Sequence, residues 1–310
     1  MIRVLSPGLL TTVQDLGRPG LGALGVPPGG AADAHALRLG NLLLGNDEGA
    51  AALEVTLAGP TLRFEEGALV AFAGAPFAAT LDGTAVDAWS TVEVPAGGRL
   101  VVGRALSGAR GYLCVRGGVD VPRLLGSRST DVATAFGGFG GRAVATGDLL
   151  AVGGAPGAPR GRRVDAAAAR WNGPRRLLRV TPGPQEAWFA PEARVRFLSS
   201  PFRVSASSSR TGVRLEGEPL PAPNRSLVTE GVAAGAVQVP AGGLPIVLLV
   251  EHPSTGGYPK IANVISADLS ALAQLRPGDE VRFAPVSFDE ARRLLLEREA
   301  RLADAGVFLP

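Results

Sequence analysis

Several stretches of the chain gather residue types that could do chemistry. The first is "TTVQDLGRPGLGALGVPPGGAADAHAL", residues 11–37, where Gln14, Asp15 and Arg18 sit at the end of a strand-like run beside a Gly-rich loop. An amide, a carboxylate and a guanidinium so placed can bind one small polar ligand. They can instead fix the loop as an Asp–Arg pair. Inside the stretch, "GLGALG" reads as G-x-G-x-x-G. A dinucleotide fingerprint needs a helix opening at its last glycine. Here "VPPGG" follows, and Pro27 and Pro28 cannot sit inside an opening helical turn. No dinucleotide site is expected, and the glycines are read as letting loop backbone approach something closely.

The second stretch is "VEHPSTGGYPKIANV", residues 250–264. Glu251, His252, Ser254, Thr255, Tyr258 and Lys260 crowd around Gly256 and Gly257, whose amides could form an anion nest. Lys260 is the single lysine of a chain whose other cationic side chains are all arginine, so its type is unexpected there. Lysine offers a compact ammonium that can give up its proton when desolvated, whereas arginine is a fixed planar cation. His252 is one of two histidines; the other, His35, lies in a helical pattern, and the pair gives no metal-ligand spacing. No metal site is expected.

Two further stretches complete the set. "SSSRTGVRLEGEPL" (207–220) places Arg210 and Arg214 about Gly212, able to hold a carboxylate or phosphate, or to make a strand-edge salt bridge. "GGVDVPRLLGSRST" (117–130) ends in Ser127, Arg128, Ser129 and Thr130 but lacks a nucleophile elbow.

The elements that must position these residues read as mainly β. Apolar runs such as "ALVAFAGA", "GYLCVRGGVDV", "RLLRVTPG", "LPIVLLVEHP" and "DEVRFAPV" alternate with Gly and Pro turns. Helical spacing is confined to residues 31–45 and 287–306, the latter with Ser287 as N-cap, Glu290 three residues on, and Gly306 at its end. The Gly-, Ala-, Pro- and Arg-rich segment 153–171 reads as a linker dividing the chain into domains 1–160 and 161–310. The two sides echo each other in order: "LSPG" and "VTPG", "VPAGGRLVV" and "VPAGGLPIV", "TGDLLAV" and "PGDEVRF". Two related β domains are expected, each opened by an "xxPG" turn and closed by a "GD" turn.

Composition narrows the function class. The sequence pI is about 9.7 but the net charge is only +3, the arginines are scattered, and aromatics are 5 %, too few for nucleic-acid stacking platforms. The cluster "PRGRR" (159–163) reads as a solvated linker. One cysteine, Cys114, excludes a disulfide framework. With no membrane-length apolar run and no signal-like start, the protein is expected to be cytoplasmic, binding neither membrane nor nucleic acid.

Taken in order, "TTVQDLGRPG", "GNLLLGND", "ALEVTLAGP", "YLCVRGGVDVPRLLGSRST", "SSSRTGVRLEG", "GAVQVPAGGLPI" and "STGGYPKIANV" resemble the biotin-dependent carboxyltransferase domain family, also called the allophanate hydrolase subunit two family. Ser209 stands where the family pattern has Asn, and Gly29 where it has Ser. The family includes the Kip antagonist proteins, understood as the C subunit of bacterial 5-oxoprolinase, and the carboxyltransferase region of urea carboxylase. The resemblance implies two tandem cyclophilin-like β-barrel domains with a few helices. It also implies a Kip inhibitor-like B subunit as partner, and an A subunit that completes hydrolysis to glutamate. ATP with Mg is the implied cofactor, its site open between this chain and the partner. In an ATP-dependent opening of the 5-oxoproline lactam, Lys260, Arg18 and Arg210 are expected to stabilise charge, and Asp15 and Gln14 to meet the lactam N–H and C=O. His252, Thr255, Gly256, Gly257 and Tyr258 are expected to line the substrate. The chain lacks a biotin-carrier "MKM", so biotin belongs only to a rival reading, carboxyl transfer to urea or a similar amide. A third reading is a non-enzymatic antagonist that binds a kinase inhibitor.

Overall fold

A computed structural model describes residues 1–155, 158–160, 163–170 and 175–309. The expected linker 153–171 and the "PRGRR" cluster therefore lie partly outside the described residues. The chain forms two compact units. The first holds Met1–Arg18, Gly29–Gly173 and Arg301–Pro310; the second holds Pro19–Pro28 and Pro174–Ala300. This differs from a single cut near residue 160, because the chain end returns to the first unit. There Phe308–Leu309 pairs with Arg163–Val164, and Val307 and Phe308 bury in that unit's core.

The first unit contains two antiparallel sheets. The seven-stranded sheet runs in the order Val119–Asp120, Leu149–Val152, Ile2–Ser6, Thr61–Phe64, Arg99–Ala105, Phe77–Leu81, Thr84–Val86. The five-stranded sheet runs Leu10–Gln14, Ala52–Thr56, Arg110–Val115, Ala68–Gly74, Thr91–Val94. Their inner faces share one core, with Ile2, Val4, Leu62 and Phe64 from one sheet and Val55, Phe72, Leu113 and Val115 from the other. Helix Ala34–Leu43, capped by Asp33 Oδ1 accepting from the Ala36 amide, covers the outer face of the five-stranded sheet. Its Leu37, Leu39 and Leu43 pack with Ala71, Ala73, Tyr112 and Cys114. Successive strand residues point to opposite faces, so Ala68–Gly74 and Arg110–Val115 are apolar at nearly every position because both faces are buried. Close approach requires Gly40: a Cβ there would lie 2.8 Å from Cys114 Sγ. Burial pushes the Cys114 thiol pKa well up, so this cysteine is a packing residue.

The second unit is a closed barrel of seven strands. In order these are Leu177–Pro182, Lys260–Val264, Ala236–Gln238, Ile246–Leu248, Gly212–Glu216, Phe202–Val204 and Glu280–Pro285. The ring closes by parallel pairing of Leu177–Pro182 with Glu280–Pro285. Helix Pro191–Ser199 stacks Phe197 on Phe283 with ring centroids 4.5 Å apart.

The "GD" echo is real in three dimensions. The Val4 amide donates to the Asp148 carbonyl at 2.9 Å and the Gly147 amide to the Val4 carbonyl at 2.8 Å. In the second unit the Val204 amide donates to the Asp279 carbonyl at 2.9 Å and the Gly278 amide to the Val204 carbonyl at 2.8 Å. Each aspartate also accepts from the amide three residues before it, Ala145 at 2.7 Å and Arg276 at 2.8 Å. The "xxPG" echo does not correspond. The counterpart of Ile2–Ser6 is Phe202–Val204, and Leu177–Pro182 precedes it as an added strand. "GLGALG" forms a three-residue 3-10 turn, Gly22–Leu24, with Gly20 and Gly25 in the left-handed region. A Cβ at either would meet nothing within 4 Å, so these glycines serve backbone conformation rather than close approach.

Candidate functional site

In the first unit the residues after strand Leu10–Gln14 meet the "SRST" segment. Asp15 Oδ1 accepts from the Gly17 amide at 2.8 Å and from the Ser127 and Ser129 hydroxyls, each at 2.6 Å. Its Oδ2 accepts from the Arg128 amide at 2.6 Å. Three donors converge on Oδ1 and one on Oδ2, so most of the carboxylate's acceptor capacity is used inside the protein. Arg18, buried, donates through Nη2 to the Ser129 carbonyl at 2.6 Å and lies 4.9 Å from the centre of the Phe136 ring. Gly137 leaves room for it, since a Cβ there would lie 2.8 Å from Arg18 Nη2. Gln14 donates to the Thr12 hydroxyl at 3.0 Å and the Thr130 carbonyl at 2.9 Å. Its Oε1 has no hydrogen-bond partner, but the side chain is 0 % exposed. The cluster is a clamp between two distant segments. Binding a lactam through Asp15 Oδ1 would require one of its three internal hydrogen bonds to break.

In the second unit the "STGGYPK" loop leads into strand Lys260–Val264. Lys260 is not a solvated loop residue: its side chain is 3 % exposed, with Nζ 2.6 Å from Glu230 Oε1. Gln185 Nε2 donates to the same oxygen at 2.9 Å, and Gln185 Oε1 accepts from the Lys260 amide at 3.2 Å. The Lys260 ammonium, and then the Gln185 amide, hold the Glu230 carboxyl below the usual carboxylate range. A short ribbon positions Glu230: Glu230–Gly231 pairs with Thr255–Gly256. Gln238 stands opposite Lys260 on the neighbouring strand. A Cβ on Gly256 would lie 2.5 Å from Gln238 Nε2, so any larger residue there would displace the Gln238 amide. Neither Gly256 nor Gly257 has a positive φ, so the pair does not form the alternating-handed anion nest expected of it. Thr255, Gly257 and Tyr258 are exposed, Tyr258 half so.

The remaining predicted residues are engaged locally. Arg210 Nε lies 2.6 Å from Glu251 Oε1 in a buried ion pair, and the Glu251 amide donates to the Arg210 carbonyl at 3.0 Å. His252 is buried with Nδ1 2.7 Å from the Pro253 carbonyl oxygen. For Arg18 or Arg210 to stabilise charge on a ligand, these contacts would have to rearrange. Gln185, Glu230 and Gln238 were not anticipated. The detectable signal was slight: a glutamine inside an otherwise apolar strand at "GAVQVP", and another in the "TPGPQE" turn. Among the described residues no three His, Cys, Asp or Glu side chains form a metal-binding group, and no helix is long and apolar enough to cross a membrane.

The mainly β architecture and ordered motifs agree with comparison to known proteins. Residues 24–285 match the family pattern of the carboxyltransferase domain, subdomain A and B, and the chain belongs to this family. It is 41 % identical over 299 residues to the C subunit of 5-oxoprolinase from Escherichia coli K12, covering 94 % of this chain and 93 % of the relative. The same-named protein of Haemophilus influenzae is 38 % identical over 303 residues, covering 97 % of this chain and 96 % of the relative. The crystal structure of K. lactis urea amidolyase superposes with a TM-score of 0.90 at 32 % identity, covering 100 % of this chain and 20 % of that one.

Proposed function

We propose that the chain is the C subunit of an ATP-dependent 5-oxoprolinase. It acts with a Kip inhibitor-like B subunit on the lactam of 5-oxoproline, and an A subunit completes hydrolysis to glutamate. The observation that carries this reading is near-complete coverage in both directions with relatives named as the C subunit of 5-oxoprolinase. Carboxyl transfer on biotin is the weaker reading, because the urea amidolyase of Saccharomyces cerevisiae is matched over only 17 % of its length.

The chemistry needs an activated amide. A lactam carbonyl is a poor electrophile, and a phosphoryl group from ATP, handled with Mg, makes it a better one. Cationic donors that meet the developing negative charge lower such a barrier. Lys260 supplies a compact buried ammonium, and Gln185 and Gln238 supply amide donors beside it. Glu230 is the carboxylate paired with Lys260. Thr255 and Tyr258 are exposed on the loop that leads into Lys260. The complex works in the cytoplasm, where its lactam substrate and ATP coexist. The test is reconstitution: ATP hydrolysis and glutamate formation from 5-oxoproline are expected with all three components and lost when this chain is omitted. Full turnover without it refutes the proposal, and binding to the Kip inhibitor-like partner without any turnover points to the antagonist role.

A further inference from the structure

The Lys260 cluster holds more donors than acceptors. Lys260 Nζ is 2.6 Å from Glu230 Oε1, its one ion-pair partner among the described residues, whereas an ammonium carries three N–H donors. Gln238 is 5 % exposed, and its buried Nε2 has no hydrogen-bond partner. Gln185 Nε2 adds a third donor, aimed at Glu230 Oε1. A buried donor left unpaired, as Gln238 Nε2 is, is costly and calls for an explanation. Glu230, the acceptor at the centre, is 40 % exposed. It rides on a ribbon paired through only two residues on each strand. A half-exposed carboxylate on a short ribbon can exchange with solvent or with another anion far more readily than a buried one.

We infer that these side chains form an oxyanion site and that Glu230 is its resident competitor. A carboxylate or phosphoryl group of the ligand takes the place of the Glu230 carboxylate when the Glu230–Gly231 and Thr255–Gly256 ribbon shifts. Lys260, Gln185 and Gln238 then donate to the incoming anion, and Glu230 turns to solvent. The site is the one the proposed function uses, and the inference rests on that reading for its organic ligand. It deepens that reading by naming the group the site holds and the residue that gates it.

Calorimetric titration of the full chain tests the inference, with inorganic phosphate and 5-oxoproline as separate probes. Glu230→Gln, which removes the competing charge and keeps the shape, is expected to bind at least one probe about tenfold tighter than wild type. Gln238→Leu is expected to bind that probe about tenfold more weakly, and Lys260→Met to bind neither. The probe that responds tells a phosphoryl site from a carboxylate site. Thermal melts by circular dichroism check folding; should Lys260→Met not fold, Lys260→Arg takes its place, with weakened binding expected. Binding by Glu230→Gln no tighter than wild type overturns the inference, because Glu230 is then a fixed partner of Lys260. Binding untouched by both Lys260 variants overturns it as well. Coupled turnover separates the two claims. Anion binding that follows the expected order in a complex that does not turn over 5-oxoproline refutes the function and leaves the site; normal turnover with no gain in Glu230→Gln does the reverse.

Discussion

In the Asp15 cluster a buried carboxylate meets four protein donors. In the Lys260 cluster a buried ammonium meets one carboxylate that is partly open to solvent, while a neighbouring amide donor meets nothing. Both clusters looked like ligand sites from residue type and loop composition. Their difference lies in what is left over. Around Asp15 the charged group is held by four donors and only the neutral Gln14 Oε1 acceptor is unpartnered. Around Lys260 a donor is unpartnered beside a charge with one partner. Buried polar groups that serve architecture are satisfied inside the protein, because every unpaired one subtracts from a small net stability. A surplus of buried donors has no architectural use. Counting partners, rather than counting polar residues, separates a clamp from a site.

The sharpest way to break this comparison is at Lys260. Lys260→Arg keeps a positive charge but replaces a compact ammonium with a larger planar group in a buried position. Turnover by the reconstituted complex is expected to fall about a hundredfold, the scale of losing one positioned electrostatic or proton-transfer group. Stability is expected to change by about 1–2 kcal/mol through overpacking, read from urea unfolding. Wild-type turnover in this variant would reduce Lys260 to an ordinary buried ion pair. Asp15→Asn should show the opposite profile. The amide NH2 must face either the Arg128 amide or the Gly17 amide and serine hydroxyls, donor against donor, and the charge that strengthened all four bonds is gone, so about 3 kcal/mol of stability should be lost. If Asp15→Asn keeps its stability and loses turnover, Asp15 belongs with Lys260 and the contrast fails.

The sequence revealed the parts whose partners are near in the chain or follow a simple period. The helix at Phe288–Ala303 was legible from its spacing and its cap, with Ser287 Oγ accepting from the Glu290 amide at 3.1 Å. The strands were legible as apolar runs, and the "GD" turns as repeated motifs. Lys260 stood out because it broke a compositional habit. What stayed hidden depends on contacts distant in sequence. Ser127 and Ser129 lie 112 and 114 positions from the carboxylate they satisfy, so Asp15 looked available. Gln185 lies 45 positions from Glu230 and 75 from Lys260, and only barrel closure brings them together. The discontinuous units were hidden for the same reason, since the last strand carries no mark of pairing with Arg163–Val164. The "xxPG" echo misled because four residues of turn chemistry recur wherever a turn of that kind is needed, regardless of topology.

The smallest expected effects lie in the clamp's hydroxyls, and they test whether it works as a unit. Ser129 Oγ donates to Asp15 Oδ1 at 2.6 Å and accepts from the Asp15 amide at 3.0 Å. Ser127 Oγ donates to the same carboxylate oxygen at 2.6 Å and accepts from the Ser129 amide at 2.9 Å. Each hydroxyl therefore fills two positions, and alanine at either leaves a buried amide without its acceptor. Ser127→Ala and Ser129→Ala are each expected to cost about 1–2 kcal/mol in urea unfolding, less than Asp15→Asn because three donors to the carboxylate remain. The losses should not add. Once Asp15→Asn has disrupted the acceptor, removing a hydroxyl takes away little more, and a double-mutant cycle should give a coupling of about 1 kcal/mol. Strict additivity would mean that the serines act locally on their own loop and that Asp15 is held by something else. The carboxylate would then have acceptor capacity to offer a ligand, and the two clusters would differ in degree rather than in kind.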